Sequence, residues 1–174
     1  TVGPNIDYAL VATYNPYTAL PVNVVLAKAL ISKYFKEEGL TIETFAEGDK
    51  IVPWKVIAEF KGVKLNGLRY EQLMPFEAND PKTFEGDPFK IVLGDFVTTE
   101  DGTGIVHTSP AFGADDYKVG QKNNLGIITL VDRQGKFVEG VGEFSGRYVK
   151  NYKDEKDFQD VNVDISVKLK KENR

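Results

Sequence analysis

The apolar positions in the first forty residues change from a strand pattern to a helix pattern. Residues 6–14 and 22–26 are short runs rich in β-branched and aromatic side chains, which is typical of strands. Residues 27–35 then place their apolar side chains at helical spacing, on one side of a predicted helix. Gly39 stands where a glycine would end that helix. The pattern predicts two strands followed by a helix.

The middle of the chain has a β-like pattern that glycine and proline interrupt at short intervals. Apolar side chains alternate along 54–60, and 89–93 and 104–108 are the clearest later strands. The Asp-Gly pair within 99–103 is typical of a hairpin turn between those two strands. The interruptions favour a small barrel or an irregular sheet.

Helical spacing returns in the last third. Residues 114–125 predict a helix with two aspartates in its first turn, and 127–131 predicts a strand that turns at 132–135. The charged tail that starts at Asp154 fits a helix or a strand, and the four-residue spacing of its apolar side chains favours the helix. We therefore predict one α+β, β-rich domain over residues 1–174, with a small β-barrel-like core and peripheral helices.

Composition excludes several classes of site. The 174 residues include no cysteine and one histidine, His107, so neither a disulfide framework nor a zinc site with several histidines can form within the chain. No apolar run approaches the roughly 20 residues of a membrane-spanning helix, which favours a cytoplasmic protein. The formal charge of −4 argues against binding nucleic acid by bulk charge.

The densest set of chemically useful residues lies in 102–117, a glycine-rich start, a strand, a loop broken by proline and a helix start. Alternation along the strand puts His107 on one face. Asp115 and Asp116 are adjacent, so at most one of them can face a pocket, and both could simply charge the first helical turn. A lone histidine is also more often a packing residue than a catalytic base. The segment lacks the third glycine and the preceding strand of a nucleotide-binding loop.

The sequence of this segment, Gly102-Thr-Gly-Ile-Val-His-Thr-Ser-Pro-Ala-Phe-Gly-Ala-Asp-Asp-Tyr117, resembles the signature of the inserted editing domain of isoleucyl-tRNA synthetase. The resemblance extends to 1–11, 61–71 and 119–122 and covers nearly the whole chain. The editing domains of the valyl and leucyl enzymes share the Gly-Thr-Gly start and the later aspartate. The histidine and threonine that follow in this sequence resemble the isoleucyl version.

The resemblance implies hydrolysis of valine from mischarged tRNA(Ile), with the aminoacylated 3′ end of that tRNA and the rest of the synthetase chain as partners and with no metal or cofactor. By the same resemblance, Asp116 holds the α-ammonium group of the amino acid and His107 selects the side chain by its bulk. Thr108, Gly104 and Phe112 are expected to line the substrate site, although Phe112 could equally belong to the core.

One family feature is expected to be missing. A threonine-rich peptide forms another wall of the family's editing pocket, and by the resemblance this chain begins just after it, so the isolated segment could be impaired. Two alternatives remain: an editing domain of a valyl- or leucyl-tRNA synthetase, and a non-catalytic β-rich module that binds RNA, for which no basic stripe with aromatic residues is evident.

Overall fold

A computed structural model of the chain describes residues 1–151, 156 and 159–174. The described residues form two compact units, which are treated separately below. The first unit contains Thr1–Arg69 and Lys90–His107, and the second contains Tyr70–Phe89 and Thr108–Arg174. The assignment of residues 1–174 to one domain stays a prediction.

The first unit is built on an antiparallel sheet with the order β2-β1-β3. Its strands are β1 (Asp7–Tyr14), β2 (Pro21–Ala27) and β3 (Trp54–Lys61). The register pairs Tyr8 with Ala27 on one side and with Phe60 on the other. All three strands were predicted from the apolar pattern, and the prediction is confirmed. In the described residues β2 and β3 are not paired with each other, so the sheet is open and has β1 at its centre.

Both faces of β1 are buried because apolar groups cover each of them. On one face, Tyr8 packs with Ala27 and three residues outside the sheet, Val2, Leu30 and Leu65. On the other face, Ala9, Val11 and Leu26 form a second cluster. Successive side chains of a strand point to opposite faces, so one strand supplies both clusters. The central strand therefore contributes side chains to both apolar clusters of this unit.

The helix predicted over 27–35 is shorter than expected. Ala27 ends β2, a 3₁₀ turn follows, and α1 covers Ile31–Tyr34. The prediction that Gly39 ends this helix is wrong, because Gly39 lies in the next 3₁₀ turn, Glu37–Thr41. A Cβ on Gly39 would lie 2.4 Å from the carbonyl oxygen of Val52, so close packing explains the glycine.

The predicted strands 89–93 and 104–108 and the hairpin between them are not formed. Among the described residues these two segments do not pair with each other. Leu93 and Ile105 each form a single bridge with Val2, and Lys90 forms one with Arg69. Val2 N donates to the carbonyl of Val92 at 2.9 Å, and Gly94 N donates to that of Val2 at 3.0 Å. A residue distant in sequence occupies the space that a hairpin partner would take, which local pattern cannot reveal.

The helices described in the second unit are α2 (Ala114–Lys122) and α3 (Val161–Lys171). Helix α2 confirms the prediction over 114–125 but ends three residues earlier, before the positive φ of Asn124. Helix α3 confirms the helical choice for the tail, whose predicted start at Asp154 lies outside the described residues. Val161 packs with Val141 and Phe144 in the core of this unit.

The remaining predicted elements of the second unit are only partly formed. The strand predicted over 127–131 reduces to one bridge, between Val131 and Phe137, while the turn at 132–135 is confirmed by a hydrogen bond from Gly135 N to the Asp132 carbonyl. The α+β class is confirmed. Single 3₁₀ turns occupy Lys28–Leu30, Glu37–Thr41, Gly62–Leu65, Glu77–Asn79, Pro81–Thr83 and Gly142–Phe144.

Candidate functional site

The predicted site residues are divided between the two units. Gly104 and His107 belong to the first unit, and Thr108, Phe112 and Asp116 belong to the second. Each group is described within its own unit. Asp116 and Phe112 share one loop-and-helix segment, and Gly104 and His107 share one extended segment.

The Gly102-Thr103-Gly104 segment is held in the first unit by three hydrogen bonds to its carbonyl groups, two from the sheet and one from helix α1. The Tyr8 hydroxyl donates to the Gly104 carbonyl at 2.6 Å, and Ala27 N donates to the Thr103 carbonyl at 2.8 Å. The Tyr34 hydroxyl donates to the Gly102 carbonyl at 2.7 Å. Burial raises the pKa of the Tyr8 phenol, which therefore stays a neutral donor at physiological pH. Strands β1 and β2 and helix α1 thus together fix the start of the segment that carries His107.

Gly104 has a structural requirement of its own. Its φ of +76° is in the left-handed region, and a Cβ there would lie 2.5 Å from the Cβ of Ala27. Any other residue would be strained in backbone and packing alike. Gly104 is buried, and its part in lining a substrate site stays a prediction.

His107 lies on the accessible face of its segment. Ile105 and His107 are exposed, whereas Val106 and Thr108 are half-buried, which follows the predicted alternation. No hydrogen bond or ion pair of the His107 side chain occurs among the described residues. The interpretation of His107 as a hydrogen-bonded packing residue thus has no hydrogen bond behind it in the described part of the chain, and its part in substrate selection stays a prediction.

The two adjacent aspartates of α2 have different surroundings. Asp115 is exposed and pairs with Lys118 at 3.1 Å, as expected for an acid that only charges a first helical turn. Asp116 is half-buried, and its Oδ2 accepts a hydrogen bond from the backbone N–H of Ser109 at 3.2 Å. No other hydrogen bond to the Asp116 carboxylate occurs in the described part of the chain. Asp116 is therefore oriented by the protein and still partly accessible.

The Asp116 carboxylate contacts the loop of residues 109–113. We call this loop the proline loop. Gly113 precedes the helix, and a Cβ on it would lie 2.7 Å from Asp116 Oδ2, so the glycine gives the carboxylate room to fold back. Within the loop, Phe112 N donates to the Ser109 carbonyl at 3.0 Å. The Phe112 side chain is 71% exposed. The alternative that Phe112 belongs to the core is wrong.

The residues that sequence reasoning missed are those that hold the site segments in place, Tyr8, Gly113 and Gly120. A glycine inside a helix is a usable signal, because it is less favourable than alanine there and often marks close packing. No comparable signal marks Tyr8, whose hydrogen bond to Gly104 spans 96 residues of sequence.

Two searches of the described residues are negative. They contain no group of three or more His, Cys, Asp or Glu side chains that could hold a metal ion. None of their helices combines the length and the apolar composition needed to span a bilayer.

No protein-family model matches the chain, but curated proteins match it along nearly its whole length. The isoleucine–tRNA ligase of Cytophaga hutchinsonii is 45% identical over 198 aligned residues, covering 99% of the chain and 17% of that protein. The corresponding figures are 46% over 168 residues, 94% and 14% for the ligase of Bacteroides fragilis, and 41% over 206 residues, 99% and 18% for that of Porphyromonas gingivalis.

The chain thus spans less than one fifth of the length of the relatives given above. Identities above 40% along nearly all of the chain are far beyond what a shared fold alone would require. Along nearly all of its length, the chain is homologous to one segment of isoleucine–tRNA ligases.

Proposed function

We propose that this segment is the editing site of an isoleucyl-tRNA synthetase, a cytoplasmic enzyme, and that it hydrolyses the valine ester of mischarged tRNA(Ile). The support is twofold. The relatives that cover the chain are named isoleucine–tRNA ligases, and the aspartate that the editing family uses is held in an oriented, partly accessible position.

The physical need for such a site follows from the size of valine. A pocket that accepts isoleucine can penalise the missing methylene group by only about 1–3 kcal/mol, a limit for which isoleucyl-tRNA synthetase is itself the standard example. A second site that admits valine and excludes the larger isoleucine supplies the rest of the discrimination.

The observation that carries the proposal is the state of Asp116. One carboxylate oxygen accepts from Ser109 N, which fixes the direction of the group. Half-burial leaves the rest of the carboxylate accessible to a ligand. A preoriented carboxylate binds an ammonium group more strongly than a free one, because less rotational freedom is lost on binding. The valine end of an aminoacyl-tRNA carries such an ammonium group next to its ester.

The proposed reaction is a hydrolysis in which water attacks the ester carbonyl carbon. The bond to the terminal ribose oxygen breaks, that oxygen takes up a proton, and the products are free valine and uncharged tRNA. Asp116 holds the ammonium group and so places the ester for attack, a contribution of orientation and not of proton transfer. His107 is assigned to side-chain selection, and Thr108, Gly104 and Phe112 to the lining of the substrate site. The proposed chemistry uses no metal and no cofactor.

The test is deacylation of valyl-tRNA(Ile) by the full-length synthetase with Asp116→Ala. We expect deacylation to be lost while isoleucine activation is unchanged, because the substitution removes the carboxylate that is assigned to the editing reaction alone. Asp115→Ala is a matched control, since it removes the neighbouring carboxylate of the same helical turn. Undiminished deacylation by Asp116→Ala, or equal losses in both variants, would contradict the assignment.

A further inference from the structure

Helix α2 meets the proline loop at a second point, one turn beyond Asp116. Gly120 is buried, and a Cβ placed on it would lie 2.7 Å from Cγ and 2.9 Å from Cβ of Pro110. Carbon atoms in contact are normally about 3.5–4.0 Å apart. The backbone of the helix therefore lies directly against the ring of Pro110, and no other side chain would fit at this position without a shift.

The two contacts are in register. Gly120 follows Asp116 by four residues, so both lie on one face of the helix. Pro110 follows Ser109 directly in the loop. Ser109 N donates a hydrogen bond to Asp116, and Pro110 lies against Gly120. Two consecutive loop residues therefore lie against two residues one helical turn apart. The position of Ser109 N, which orients the carboxylate, depends on how closely the loop approaches the helix.

The stability of helix α2 does not explain why residue 120 is a glycine. A glycine within a helix is less stable than alanine by about 0.5–1 kcal/mol, because it loses more backbone freedom on folding. Gly120 lies in the interior of α2, where an alanine would have an ordinary helical backbone. The close approach of Pro110 is the feature that requires a hydrogen atom in place of a methyl group.

We propose that Gly120 and Pro110 are positioning residues for Asp116, which set the distance between the proline loop and helix α2 at which Ser109 N orients the carboxylate. This inference rests on the proposed editing function for its effect on activity. Its structural part, the dependence of the Ser109–Asp116 contact on residue 120, does not.

The test is Gly120→Ala in the full-length synthetase. The added methyl group pushes Pro110 away by about 1 Å, which extends the 3.2 Å contact from Ser109 N beyond hydrogen-bonding range. A misplacement of this size costs up to about 100-fold in rate, so we expect kcat/KM for valyl-tRNA(Ile) deacylation to fall by about 10- to 100-fold. Part of this fall in kcat/KM should be a rise in KM, because the ammonium group is held less well. Isoleucine activation should be unchanged.

Two further variants separate positioning from a general loss of structure. Gln121→Ala, one residue further along α2 and exposed, should leave deacylation near the wild-type rate. Pro110→Gly removes both ring atoms that the methyl group would meet, so Gly120→Ala should cost much less in that background than in the wild type. Equal losses from Gly120→Ala in both backgrounds, or no loss at all, would overturn the inference.

Hydrogen exchange separates this inference from the proposed function. In Gly120→Ala, peptides that cover the proline loop should exchange their amide hydrogens faster, and the effect should shrink in the Pro110→Gly background. If the wild-type enzyme does not deacylate valyl-tRNA(Ile), the proposed function fails, and this exchange pattern still decides the structural inference. Unchanged exchange in the loop of Gly120→Ala would refute it.

Discussion

The contrast between Asp115 and Asp116 shows how much of the site is decided for single residues. Adjacent residues of a helix point about 100° apart, so only one of the pair can face the loop that precedes the helix. Asp115 pairs with Lys118 in solvent, while Asp116 accepts from Ser109 N. The sequence predicts that the two must differ. It does not by itself say which one faces the loop, because that depends on the path of residues 109–113.

His107 leads to a prediction that separates steric selection from base catalysis. If its bulk excludes isoleucine, His107→Ala should admit the larger side chain and hydrolyse isoleucyl-tRNA(Ile) faster. The preference for the valyl ester should fall by about tenfold, the low end of what one methylene group is worth in a pocket. The measurement is single-turnover deacylation of both esters by the full-length synthetase.

The alternatives for His107 give different rates. A catalytic base would make both esters slower by the same factor, and a residue without a role would leave both unchanged. Either result would contradict selection by bulk. Because the side chain makes no hydrogen bond among the described residues, His107→Ala should leave the thermal unfolding midpoint close to that of the wild type.

For secondary-structure elements, local pattern succeeded where an element forms within its own segment. Strands β1 to β3 and helices α2 and α3 are predicted from local composition or apolar spacing, and the structure confirms all five. The segments 89–93 and 104–108 have comparable β-forming composition but form only isolated bridges among the described residues, two of them to Val2 and one from Lys90 to Arg69. Pairing with a residue 90 or more positions away leaves no trace in the local pattern, which explains the missed arrangement.

Helix α3 allows a prediction about its N-terminal cap. The Asp160 carboxylate accepts from the backbone N–H groups of Asn162 and Asn151 and from the Asn162 side chain, which together lower the pKa of Asp160. Asp160→Ala should lower the thermal unfolding midpoint by about 2–4 °C, the usual size for loss of a cap in a chain of this length. Asp160→Asn should retain most of the midpoint at neutral pH, since asparagine also caps helices.

The lowered pKa of Asp160 also predicts how the stability of the protein depends on pH. Its lowered pKa in the folded protein means that the stabilisation is present above the ordinary aspartate pKa of about 4 and is lost as the pH falls through the lowered folded value. Below about pH 4, the unfolding midpoint of the wild type should therefore fall more steeply than that of Asp160→Asn. Parallel pH profiles for the two proteins would show that Asp160 does not contribute.

At the scale of the whole molecule, net charge limits how this segment can meet tRNA. With 26 acidic and 22 basic residues, its formal charge is −4, so its overall charge does not attract nucleic-acid phosphates. We expect the 174-residue segment to bind uncharged tRNA(Ile) no more tightly than about 10⁻⁵ M at physiological salt, in the range of non-specific association. A binding titration at several salt concentrations measures this directly.

The opposite result, tight binding of uncharged tRNA(Ile), would be equally informative. Submicromolar binding with a steep salt dependence would show a local basic surface that the composition hides, and it would favour the alternative of an RNA-binding module. The segment spans less than one fifth of its relatives. Weak binding would support the proposal that other parts of the full-length protein bring the tRNA end to the proposed site.

The sequence by itself determined the α+β class, the main strands and helices, the family resemblance and the segment that carries the candidate chemistry, because these depend on local periodicity and on a contiguous motif. Only the tertiary structure decided which aspartate is oriented, why residues 39, 104 and 120 must be glycine, and that Val2 takes the place of a hairpin partner. Each of these depends on an approach between segments within a few ångströms, and such distances are set by packing, which no local pattern encodes. The composition by itself shows His107 to be the solitary histidine, and only the tertiary structure shows that its side chain is exposed.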